Sequence, residues 1–283
     1  MTVKKDRQRN LPVSNRVVDL HLSAIKEMAM LSVRVEDAVS LSWGLPSFNT
    51  PQYICSGIEK ALREEEDIGK CSSPDGLKAL HEVVAAKHQK DTGVEVCPDE
   101  NILITAGNMQ AMTNLFRTLI DPDDEIIVTD PCFPSHIQQI KLSGGRPVYW
   151  PLDEDNDWEL DTSKLPDLIN TKTKAIVIVS PSNPTGKIFD RQTLVNTVEM
   201  ARQHGLLLII DDPYHHFIHE NNDKYFNPAS LKEMFDSIIY CYSFSKAYAM
   251  SGWRVGYMVM PASLKAQVLK VHDSNIICAP RIS

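Results

Sequence analysis

From residue 100 onward the chain is a succession of short, β-branched apolar runs separated by stretches of helical periodicity. NILIT (101–105), DEIIVTDP (124–131), RPVYWPL (146–152), KAIVIVS (174–180), LLLIIDDPY (206–214), SIIYCYSFSK (237–246) and GYMVMP (256–261) are the strand candidates. Between them lie the helix candidates AGNMQAMTNLFRTLI (106–120), a segment around 134–142, and RQTLVNTVEMARQHG (191–205), the last closed by Gly205. Runs that are apolar throughout belong to strands buried on both faces. Such strands alternating with helices predict an α/β fold whose mostly parallel sheet carries helices on both faces. Ligands of such sheets gather beyond the carboxyl ends of the strands. The unusual polar residues of this chain stand at those ends.

Upstream, the pattern is helical. One helix is expected from about Asp19 to Ala29, and another over GIEKALREEEDI (57–68). A third lies within SSPDGLKALHEVVAAKHQKDTG (72–93), with Asp75 as a plausible N-cap and Gly93 as its stop. EEED (64–67) reads as a solvated helix end, and LSWGLPSFNTP (41–51) as a connection between an N-terminal arm and a main domain. The 283 residues can bury a large core without staples. Hydrophobic residues at 43% and charged residues at 23% exclude a disordered or fibrous chain. A net charge of −8 argues against generic nucleic-acid binding. No apolar run reaches the ~20 residues needed to cross a bilayer. Six cysteines, at 55, 71, 97, 132, 241 and 278, form no C-x-x-C pair. They suggest neither a disulfide framework nor zinc, and they suit a reducing compartment. Cys132 and Cys241, beside strands, read as small core residues. MTVKKDRQRN has no apolar segment after it and is unlike a secretory leader, so a cytoplasmic location is expected.

Four clusters at strand ends carry chemistry. Asp211 and Asp212 close the run LLLII; a carboxylate there either caps the next element or holds a protonated heterocycle nitrogen. Lys246, in YSFSKAYAMSGWRVGY (242–257), stands among hydroxyls. A lysine so placed is either a solvated side chain or, with its pKa lowered, a Schiff-base former. Arg254 could make a bidentate phosphate contact or a surface ion pair. SPSNPTG (180–186) is a turn sequence that can also present the Asn183 amide. TAGNMQA (105–111) meets a helix start, where backbone N–H groups bind phosphate. The pair His215–His216 reads as structural, since no metal-ligand spacing supports it.

In this order the clusters resemble the fold type I, pyridoxal-phosphate-dependent aminotransferases of class I/II. SPSNPTG, DDPY and SFSKAYAMSGWRVGY carry the resemblance, and PDENILITAGNMQAM and DPDDEIIVTDPCFPSH add to it. It covers roughly residue 40 to the end. It implies an N-terminal arm, or part of a small domain, over 1–45 and a cofactor-binding large domain over 46–283. It implies that Lys246 forms a Schiff base with pyridoxal 5'-phosphate and then moves the substrate proton. Asp211 would pair with the ring nitrogen, Asn183 and Tyr214 with the ring hydroxyl, and Phe133 would stack on the ring. Ser243, Arg254 and the backbone of Gly107, Asn108 and Met109 would hold the phosphate. Gly44, with Asn183, would lie near the substrate carboxylate. The implied reaction moves an amino group between an amino acid and a 2-oxo acid, in a homodimer, with no metal, nucleic acid or membrane involved.

Three departures stand out. Asp-Asp-Pro-Tyr replaces the usual Asp-Glu-x-Tyr, and Cys71 stands where relatives carry a tyrosine that reaches the partner's phosphate. The chain also stops at Ser283, within the stretch CAPRIS, so the C-terminal small domain and its carboxylate-binding arginine find no match. The rival expectations are a cofactor-binding fragment with little turnover, or a related lyase or synthase. A transcription-regulator relative is disfavoured, because residues 1–40 are too short for a helix-turn-helix.

Overall fold

The computed structural model describes residues 12–18, 20–42, 44–219 and 225–283. The chain forms two compact units, Met1–Trp43 and Gly44–Ser283. The first holds α1 (Asn15–Val18) and α2 (Ala24–Ser32). The expected helix from about Asp19 is α2, which starts later because Ser23 caps it, its hydroxyl accepting from the Lys26 N–H. Asp19 itself lies outside the described residues.

The second unit contains, in chain order, α3 (Gln52–Glu64), α4 (Lys78–Thr92), α5 (Pro98–Asn101), β1 (Ile102–Thr105), α6 (Asn108–Leu119), β2 (Glu125–Asp130), α7 (Pro134–Leu142), β3 (Arg146–Asp153), β4 (Glu159–Leu160), α8 (Leu165–Leu168), β5 (Thr173–Val179), α9 (Arg191–Gln203), β6 (Leu207–Asp212), β7 (Ile238–Ser243), β8 (Gly256–Val259) and α10 (Ala262–Ile276). One sheet has the strand order β1-β8-β7-β6-β5-β2-β3-β4. The pairs β2–β3, β2–β5, β5–β6 and β6–β7 are parallel. β8 runs antiparallel to both β1 and β7, and the short β4 antiparallel to β3.

Alternation along each strand sends neighbouring residues to opposite faces. Leu208 and Ile210 of β6, with Ile176 and Ile178 of β5, join a core completed by Val84 of α4 and Leu194, Val198 and Ala201 of α9. Ile209, Ala175 and Val177 join a separate core with Ala111, Met112, Leu115 and Phe116 of α6, Ile140 of α7 and Val268 of α10. Both faces are covered, so both parities must be apolar, which is why the strands read as continuous runs. Cys241 is fully buried in the second core, and Cys132 packs against it.

Two helix starts depart from expectation. α3 begins at Gln52 rather than 57, with Pro51 preset at φ −53° just ahead of it. Asp75 does not cap α4; Leu77 holds that position. The Asp75 carboxylate instead accepts from Ser73 Oγ (2.6 Å) and from the buried Lys265 Nζ (3.0 Å). Burial pushes the Asp75 pKa up, but these donors outweigh it and hold it below its ordinary value. Gly93 does end α4, in the left-handed region at φ +75°.

His88 of α4 is buried, and neither of its ring nitrogens has a hydrogen-bond partner. Burial pushes its pKa down to about 4. The unfolded value is about 6.5, so the contribution of neutral His88 is complete above that pH and is lost as the pH falls toward 4. At ~1.4 kcal/mol per pH unit this amounts to about 3 kcal/mol in all. Thermal melting of the wild type should therefore fall more steeply between pH 6.5 and 4 than melting of His88→Leu. Equal slopes would show that His88 does not titrate in this window.

Candidate active site

The acids that close β6 separate by parity. The backbone of Asp211 pairs with Val179 of β5 and Cys241 of β7, and its side chain leaves on the face covered by α6 and α7. There its carboxylate accepts from Asn108 Nδ2 at 2.6 Å and lies 3.1 Å from His136 Nε2. Both Asp211 and His136 are buried. His136 belongs to the first turn of α7, three residues after Phe133, and their rings meet edge to face at 5.4 Å. The sequence carried a signal for His136, because i and i+3 share a helix face. It gave none for the Asn108 side chain, whose residue had been expected to act through its backbone.

Asp212 leaves on the other face and is fully buried. It accepts from Tyr225 Oη (2.8 Å), Tyr240 Oη (3.0 Å) and the His215 N–H (3.2 Å), and lies 2.8 Å from His215 Nδ1. These contacts fix the turn Asp212–His215 that carries Tyr214. Pro213, lacking an N–H, ends the strand there. Among the described residues no cluster of His, Cys, Asp or Glu could hold a metal.

Tyr214 Oη accepts from Asn183 Nδ2 at 3.3 Å. Burial and the Asp211 charge push the Tyr214 pKa up, against the weaker effect of the Asn183 bond. The phenol keeps its proton and can donate it. Asn183 is held by the turn around it: Ser182 N donates to Lys187 O (2.9 Å), Gly186 N to Ser182 O (3.0 Å), and Ser180 N to Asp211 O (3.1 Å).

Lys246 lies just past the carboxyl end of β7 and is partly buried. Desolvation lowers its pKa, which moves the amine toward its nucleophilic, neutral form. Its Nζ donates to the Gly44 carbonyl and sits 5.9 Å from the centre of the Tyr214 ring. A Cβ at Gly44 would stand 3.6 Å from that nitrogen, in ordinary contact, so Gly44 borders the lysine amine.

Because β8 is antiparallel to its neighbours, its first residue lies at the carboxyl ends of β1 and β7, with Gly256 opposite Thr105 and Ser243. That places Arg254 against the β1–α6 turn. Arg254 Nη2 donates to Ala106 O (3.1 Å) and Nη1 to Ser251 O (2.7 Å). Gly107 adopts φ +75°, and any Cβ there would collide with the Arg254 guanidinium. The N–H groups of Asn108 and Met109 precede the first intrahelical donors, Gln110 and Ala111, both of which donate to Gly107 O. Ser243 is buried, and its Oγ contacts Ser245 Oγ (2.9 Å) and accepts from Ser245 N (3.2 Å). An arginine, serines and a helix N-terminus thus converge on one spot, which is an anion-binding arrangement.

The structure therefore gathers Asp211, Lys246, Tyr214 and Asn183, with the Arg254–Gly107–Ser243 cluster, at one end of the sheet. A buried carboxylate, an amine with lowered pKa and an anion-binding arrangement on an α/β sheet are groups able to hold an anionic, nitrogen-containing ligand. Comparison with known proteins gives the family. The family described as aminotransferase class I and II matches residues 36–282, and the chain belongs to that family. An aspartate aminotransferase of Pyrococcus abyssi is 32% identical over 95% of the chain and 68% of its own length. An aromatic-amino-acid aminotransferase 2 of Thermococcus litoralis is 30% identical over 95% and 68%. The solved aspartate aminotransferase from Thermus thermophilus with maleate superposes with a TM-score of 0.89 at 28% identity, covering 95% of the chain and 70% of that structure. Among the described residues no helix is long and apolar enough to cross a membrane.

Proposed function

We propose that this chain binds pyridoxal 5'-phosphate and uses it to move an amino group between an amino acid and a 2-oxo acid, with Lys246 as the reacting amine. The observation that carries the reading is the placement, at the carboxyl ends of the neighbouring strands β6 and β7, of a buried carboxylate held by two donors and a desolvated lysine. The residues fit the group: a Cβ at Gly107 would close the cup beside Arg254, so the glycine keeps it open for the phosphate. When bound, the cofactor supplies an aldehyde that takes up amines and a ring that accepts electron density.

This chain's own residues supply the rest. Arg254, Ser243 and the Asn108 and Met109 N–H groups hold the phosphate. Asp211 keeps a proton on the ring nitrogen. Asn183 and Tyr214 donate toward the ring oxygen, and Phe133 covers the ring. With the group bound, Lys246 Nζ would carry the proton to and from the substrate carbon. Gly44 leaves room beside it for the substrate. A homodimer suits the exposed apolar side chains Val33, Val39 and Leu41 of the N-terminal unit. A cytoplasmic location suits six cysteines that are all free.

The test is absorbance of the purified chain with added pyridoxal 5'-phosphate, followed by a panel of aspartate, aromatic and branched amino acids. The expected result is a visible band that decays with one donor class and returns with the matching 2-oxo acid. A band that no amino acid changes would leave cofactor binding standing and sink the transfer reaction.

A further inference from the structure

We infer that Asn108 is a positioning residue that ties the ring-nitrogen carboxylate to the phosphate-binding turn. The inference rests on the cofactor assignment above. Asn108 is the first residue of α6, and its backbone forms part of the anion cup. Its side chain, however, points the other way along the site and donates to Asp211 at 2.6 Å. The orientation of the amide is determined: an ionised carboxylate only accepts, so nitrogen must face Asp211. The amide oxygen is then left buried with no partner. It backs onto Gly256, where an added Cβ would come within 3.1 Å of it, 3.2 Å of Gly107 Cα and 2.7 Å of Tyr242 O. The glycine at the start of β8 therefore makes the room that lets the Asn108 amide stand beside Asp211.

An unpartnered buried carbonyl costs free energy. The arrangement persists because the opposite end of the amide makes a charge-assisted bond. One residue thus spans the cup for the phosphate and the carboxylate for the ring nitrogen, and their separation is fixed through a short side chain. His136 restrains the other carboxylate oxygen. Without Asn108, Asp211 keeps only that second restraint. Freed from that bond, Asp211 can turn away from the ring nitrogen it is proposed to face, and a bound ring would then carry less positive charge. A less positive ring would repel a proton on Lys246 Nζ less. The midpoint of the Lys246-dependent spectral transition is therefore expected to rise.

The experiment is a spectrophotometric pH titration of the chain with pyridoxal 5'-phosphate, comparing wild type with Asn108→Ala, Asn108→Ser and the isosteric Asn108→Asp. Because the lost bond is to a carboxylate, we expect the midpoint to rise by about one pH unit in Asn108→Ala. The dissociation constant should rise roughly tenfold over the same comparison. Far-UV circular dichroism identifies the variants that fold, and the folded ones carry the test. A wild-type band with an unmoved midpoint in every folded variant overturns the inference, even where binding weakens, because Asn108 then serves the phosphate cup alone. A wild type with no band that Lys246→Ala removes overturns the cofactor assignment and this inference with it.

Discussion

Lys246→Ala is expected to abolish the visible band that the chain develops with pyridoxal 5'-phosphate and to remove turnover. No other amine with a lowered pKa is seen at the carboxyl ends of the strands among the described residues. Losing a positioned proton carrier alone costs roughly 10²–10⁴-fold in rate, and loss of the nucleophile adds to this. The fold should survive, because the lysine is only partly buried and its one described bond is to the Gly44 carbonyl. Lys246→Arg separates charge from chemistry. Arginine keeps a cation at the site but stays protonated at any working pH and cannot act as the amine. It should retain phosphate-driven cofactor binding, measurable by fluorescence quenching, without the band. A band of wild-type strength in either variant would assign the chemistry to a different group.

The second large effect is expected at Asp211. Asp211→Ala removes the carboxylate proposed to pair with the ring nitrogen and leaves two donors, His136 Nε2 and Asn108 Nδ2, facing an apolar methyl group. Removing one partner of a buried charge pair costs about 3–5 kcal/mol. That corresponds to roughly 10²- to 10⁴-fold in rate if the lost pairing is felt fully in the transition state. Cofactor affinity should fall less, since Arg254, Ser243 and the start of α6 remain. The informative measurement is therefore kcat against the cofactor dissociation constant. A variant that loses affinity and rate in equal measure would make Asp211 an anchor rather than the group that sustains the ring proton. Asp211→Glu should recover little, because an extra methylene moves the carboxylate off the position where Asn108 Nδ2 and His136 Nε2 meet it.

Much of this was legible before the structure. Apolar runs of both parities meant strands buried on both faces, and the two separate cores bear that out. The lysine, arginine and acid at strand ends are physically improbable there unless partnered, which made them readable as a site. What local sequence could not reveal were the non-local partners. Asp75 looked like a helix cap because the residues that follow it are helical. Its true partner, Lys265, lies 190 positions away. Likewise the Asn108 amide reaches Asp211 from another element, and no short-range pattern encodes that meeting.

The sequence by itself determined the element types and their order. It also placed the chemically unusual residues at strand ends, because hydrophobic periodicity and turn chemistry act over a few residues. It determined as well that two acids would end β6. Only the tertiary structure decided what each acid meets. Asp211 faces α6 and α7, where two donors meet it, while Asp212 faces Tyr225, Tyr240 and His215 and anchors the turn behind Tyr214. The reversed direction of β8 likewise brought Arg254 to the anion cup. The physical reason is the same in both cases: a strand's two faces and its direction have no meaning until neighbouring elements pack against it.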